Sequence, residues 1–91
     1  MDEQTATRDL YEAAWYYLNG CRIESIQCME VEPKKPTCFF SFKGTDVAAL
    51  QLQFIRQEAS VNLWQFRRAY AELTDLVGGA KKQFRLQGGA S

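Results

Sequence analysis

The chain has only two prolines, and both stand in one five-residue stretch, Glu32-Pro33-Lys34-Lys35-Pro36. Proline has no amide donor and fixes its own φ, so neither a central strand nor a helix interior accepts such a stretch, and the two lysines keep it in water. After it, Cys38, Phe40 and Phe42 alternate with Phe39, Ser41 and Lys43, the two-residue period of a strand with one buried face. Before it, Cys21 and Ile23 share one phase while Ile26 and Cys28 share the other. A bulge near Ser25 reconciles the two, because one extra residue reverses the facing of all that follow. The stretch is thus the turn of a hairpin, with strands over 21–31 and 37–43. Two strands alone are marginal in water, so something must cover them.

Helical periodicity on either side supplies the cover. Leu10, Ala13, Ala14, Tyr17 and Leu18 recur on one helical face, with Thr7 expected as N-cap, Asp9 in the first turn and Asn19-Gly20 as the exit. Tyr11 and Trp15 fall four apart on a neighbouring stripe, surplus to a single core contact. After Gly44 a second helix is expected, capped by Thr45, with Val47, Leu50, Phe54 and Ile55 as its apolar face. A third begins at Asn62, where Gln65 completes a capping box and Val61 can pack on Phe66. Leu63, Phe66, Tyr70, Leu73 and Val77 trace its buried face, and Gly78-Gly79 is expected to close it. The expected fold is α+β in the order helix, β-hairpin, helix, helix, with the helices packed on a two-stranded sheet. One domain covers residues 7–79, preceded by an N-terminal extension over 1–6 and followed over 80–91 by a flexible basic tail with Lys81, Lys82 and Arg85.

The run Thr7-Arg8-Asp9-Leu10, the helix exit Leu18-Asn19-Gly20-Cys21-Arg22 and the strand Cys38-Phe39-Phe40-Ser41-Phe42 resemble a family of small bacterial and phage-borne proteins, a domain of unknown function. The Val61-Asn62 step into a helix with Phe66 and Leu73 resembles it too, so the likeness spans about residues 7–77. Its motifs are caps, turns and apolar phase. The resemblance implies the same α+β order and an origin in a bacterial genome, phage or other mobile element, and it brings no catalytic residue. This chain departs from the pattern in a longer hairpin turn and in a second-helix exit that lacks the usual glycine.

Composition narrows the chemistry. Among 91 residues, 11 Lys and Arg balance 11 Asp and Glu, which excludes a dedicated non-specific binder of duplex DNA. Histidine is absent, removing Ser-His and Cys-His nucleophiles, His general bases and His-containing metal sites. Cys21, Cys28 and Cys38 match no paired-thiolate zinc spacing. Their odd number, and the lack of an apolar segment after Met1-Asp2-Glu3, point to buried apolar thiols in a reducing, cytoplasmic compartment. A pairing of Cys28 with Cys38 across the strands is compatible with the spacing but not implied by it. No apolar run reaches a membrane span, and no phosphate loop, nucleophile elbow, zincin or dinucleotide fingerprint occurs. No enzyme activity, cofactor or metal is expected.

What remains is surface chemistry. A small non-catalytic binding or self-association module is the first expectation, as a homodimer or with an unidentified protein partner. Tyr11, Trp15 and Trp64 are its candidate contacts, flanked by Arg67 and Arg68, because Tyr, Trp and Arg are enriched in interface cores. One alternative is a single-stranded nucleic-acid binder using Phe39, Lys43, Trp64, Arg67 and Arg68, since aromatics beside cations stack unpaired bases. Glu24, Glu30 and Glu32 on the same hairpin oppose it. A second alternative is a subunit or accessory factor of an enzyme.

Overall fold

A computed structural model of the protein describes residues 2–32 and 35–87. The Pro33-Lys34 centre of the expected turn and residues 88–91 of the expected tail lie outside the described residues. The elements are β1 (Glu3–Thr7), α1 (Leu10–Leu18), β2 (Arg22–Glu32), β3 (Lys35–Gly44), α2 (Val47–Ile55) and α3 (Leu63–Gln87). The α+β class is as expected, but the sheet is not a two-stranded hairpin. Its three antiparallel strands run in the order β1-β3-β2, which makes β3 central. Lys35 and Pro36, expected in the turn, begin β3, where β1 does not reach and Pro36 needs no donor toward it.

The added strand comes from the segment expected to be an extension. β1 pairs with β3 from Glu3 opposite Gly44 to Thr7 opposite Phe40. Its sequence, Glu-Gln-Thr-Ala-Thr, holds no large apolar residue, so hydrophobic periodicity cannot reveal it. Thr5 and Thr7 nonetheless lie opposite Phe42 and Phe40 and share their half-buried face, and β-branched Thr suits a pleated surface.

Between β2 and β3 the register skips from Ile23 to Ser25, leaving Glu24 as the extra residue, where the phase slip demanded a bulge. Ile23, Ile26 and Cys28 consequently lie opposite Phe42, Phe40 and Cys38. Cys28 and Cys38 are joined by a disulfide. The expectation of three buried apolar thiols therefore holds only for Cys21, which is free and buried. Direct opposition on adjacent strands brings the two sulfurs together, and that register is not contained in the cysteine spacing.

The helices bury the Phe40 and Phe42 face. Ala13, Ala14, Trp15 and Tyr16 of α1 join Cys21, Phe40, Phe42, Val47, Ala69 and Leu73 in one core cluster, with the Tyr16 ring 5.4 Å from that of Phe42. Because α1 packs against both other helices as well as the sheet, its buried arc is wider than the single face expected.

Capping also differs in detail. Asp9, not Thr7, caps α1, its Oδ1 accepting from the backbone N–H of Tyr11 at 2.8 Å and of Glu12 at 3.3 Å. At α2 the cap position belongs to Asp46, not Thr45, and the Asp46 side chain makes no capping bond. Glu3 of β1 takes that role instead, its Oε1 accepting from the Ala48 N–H at 3.3 Å. Asn62 caps α3 as expected, accepting from the N–H of Trp64 and Gln65 at 3.0 and 3.2 Å.

The largest departure is the length of α3. It continues through Gly78-Gly79 to Gln87, a helix of 25 residues, so the first part of the expected tail is helical. Each glycine inside a helix costs about 1 kcal/mol relative to alanine. Beyond them α3 stays alongside the sheet, with half-buried Ala80 and Phe84 across a groove from Ile26 and Cys28 of β2, and half-buried Lys81 beside Leu10 and Cys38. Among the described residues no helix is long and apolar enough to cross a membrane.

Candidate interaction surface

The aromatic residues singled out from sequence go to different places. Trp15 is only 6% exposed and its Nε1–H donates to the Leu50 carbonyl at 2.9 Å, tying α1 to α2. It is a core residue, unavailable to a partner. Tyr11 is 60% exposed, with its ring stacked beside Tyr70 at 5.4 Å and Phe66 at 6.2 Å. Trp64 is 68% exposed, and the Arg67 guanidinium lies 5.4 Å from its ring centroid. Such an exposed cation–π contact is worth about 0.5–1 kcal/mol and holds the indole in place without hiding it. Arg68, also exposed, borders a groove with Tyr17, Leu18, Gln65 and Glu72.

On either side of the link from α2 to α3 the structure exposes apolar residues that sequence had placed elsewhere. Ile55 and Leu63 were expected on buried helix faces but are 66% and 63% exposed. Leu52 and Val61 are exposed as well. All four belong to α2, to the start of α3 or to the link between them. Periodicity puts Ile55 and Leu63 on the buried faces of their helices, and the structure leaves both at the exposed ends of those faces. The surplus is visible in retrospect: α2 has nine residues and only Val47 of them is fully buried. A second groove, bordered by Glu12, Phe54, Ile55, Gln57 and Ala59, separates α1 from the end of α2. Gln57 makes the turn there with φ 61°, occupying the left-handed position in which glycine is usual.

Phe39 and Lys43 lie on the other side of the sheet, out of phase with Phe40 and Phe42, among exposed Gln4, Ala6, Gln27 and Met29. The five residues considered for nucleic acid are therefore split, two on the sheet face away from the helices and three on α3. Arg22, opposite Lys43, is paired with Asp2 at 3.1 Å, which partly neutralises the cationic end of that face.

The polar groups nearest the core have structural partners. Tyr16 OH donates to Glu12 at 2.6 Å, and burial followed by the Glu12 carboxylate pushes its hydroxyl far above the ordinary tyrosine range. A hydrogen bond to Glu72 likewise raises Tyr17. Burial, with Asp46 adding to it, pushes the Cys21 thiol up, opposite to the depressed value of a reactive thiolate. Among the described residues no group of three or more His, Cys, Asp or Glu is placed to hold a metal ion.

Compared with known proteins, the chain matches no family model, no curated protein and no solved structure.

Proposed function

We propose that the protein is a non-catalytic binding module that associates with itself, using the end of α2, the start of α3 and the exposed side of α3. One observation carries this: Ile55 at the end of α2 and Leu63 and Trp64 at the start of α3 are each more than three-fifths exposed, with Arg67 held against the indole. Large apolar side chains exposed to this extent are the material of contact surfaces, and Trp with Arg is the composition of binding hot spots. Tyr11 stands at the rim through its stacking on Phe66 and Tyr70. The Tyr16–Glu12 and Tyr17–Glu72 pairs brace α1 internally and against α3, so they are assigned to packing rather than catalysis. The separation of Phe39 and Lys43 from the α3 residues leaves single-stranded nucleic acid without a continuous path, and that alternative is not carried forward. The disulfide favours an oxidising compartment over the cytoplasmic placement drawn from the cysteine count.

Size-exclusion chromatography with light scattering at two protein concentrations, with the disulfide intact, tests the proposal. A mass rising with concentration above the 10.4 kDa of one chain is expected, and Trp64→Ala should shift it back toward that value. A constant mass of one chain at every concentration overturns self-association.

A further inference from the structure

Gly78 and Gly79 lie in the interior of α3, where each carries the backbone-entropy cost of glycine. A Cβ built on either meets no atom within 4 Å, so nothing inside the chain requires a glycine there. Trp64, on the same helix, is the opposite case: a large side chain with little of its own chain to cover it. At 3.6 residues per turn, Trp64, Arg68, Ala71, Asp75, Gly78, Gly79 and Lys82 fall along the outward side of α3, and all are exposed. Charge along this side alternates in blocks, with Arg67 and Arg68 first, Glu72 and Asp75 after them, and Lys82 beyond the two glycines. Among the described residues neither Arg68 nor Asp75 meets an opposite charge at ion-pair distance.

We propose that this side of α3 docks on the same side of α3 in a second copy, antiparallel, with the two-fold axis passing between Ala71 and Glu72. The proposal rests on the self-association reading and names its surface. Residues whose numbers lie equally far from that point then face each other. Trp64 comes over the partner's Gly79, with Gly78 beside it, where the missing side chains leave room for an indole. Arg68 comes opposite the partner's Asp75, and the pairing occurs twice by symmetry. Ala71 at the centre permits the close approach that packed helices make, roughly 8–10 Å between axes. A parallel arrangement would instead set Arg68 against Arg68 and Trp64 against Trp64. Charge complementarity thus selects a second copy in the antiparallel direction, and the fit of Trp64 over Gly79 sets the register, which leaves Lys82 opposite Val61 at the end of the contact.

The test is a charge exchange followed by light scattering or sedimentation. Arg68→Asp and Asp75→Arg each place like charges at both crossings and should raise the dimer dissociation constant at least tenfold. Mixed in equal amounts, the two variants regain opposite charges at both crossings and should form a heterodimer. Gly79→Leu separates this role from a structural one: a better helix former should raise the thermal midpoint of the chain while weakening its dimer. Self-association that neither charge variant changes, or a mixture that stays monomeric, overturns the α3 pairing and leaves the broader function standing. Wild-type chain that is monomeric at every concentration overturns both.

Discussion

Trp15 and Trp64 show how far a residue's role depends on what its neighbours leave uncovered. Both are aromatic residues off the expected core stripe of a helix, and by sequence they look equivalent. Trp15 falls within the arc of α1 that α2 covers, and its indole N–H finds the Leu50 carbonyl. Trp64 sits on the side of α3 that faces no other element. Sequence legibly located both residues on helices. It could not separate them, because the separation is set by where α2 lies relative to α1, a tertiary fact with no local signature. In chemical denaturation, Trp15→Ala should lose about 3–5 kcal/mol, the usual cost of truncating a buried aromatic ring. Trp64→Ala, measured at concentrations where the chain is monomeric, should change stability by no more than about 0.5 kcal/mol.

Elements were legible where an apolar period or a cap announced them and illegible where another element supplied the stabilisation. The bulge in β2 and the Asn62 cap follow from phase and residue type, and both are present. β1 was missed because its residues are polar and its pairing partner, β3, is distant in the chain. The C-terminal extension of α3 was missed because two glycines are a strong local stop, and α3 runs on past them alongside the sheet, with Ala80 and Phe84 half-buried across a groove from β2. The α2 exit offers a local test of backbone strain. Gln57 holds a positive φ that disfavours any residue with a Cβ, so Gln57→Gly should stabilise the chain by about 1 kcal/mol, read as a higher denaturation midpoint.

For the molecule as a whole, three helices lie on one face of a three-stranded sheet, and one covalent link spans the two longest strands. That link joins residues 10 apart in sequence, so its loop-closure effect on the unfolded chain corresponds to about 2–3 kcal/mol. Reduction should lower the denaturation midpoint accordingly, and a thiol assay on denatured protein should count one free thiol before reduction and three after. The sheet order also has a consequence for synthesis. β1 precedes its residues' partners in β3 by between 33 positions, for Thr7 and Phe40, and 41, for Glu3 and Gly44. At translation rates of about 5–20 residues per second, β1 waits on the order of 2–8 s before its template has been made. Its polar sequence suits that delay, since a strand of Glu, Gln and Thr stays hydrated while unpaired, where a stickier one would invite association between nascent chains.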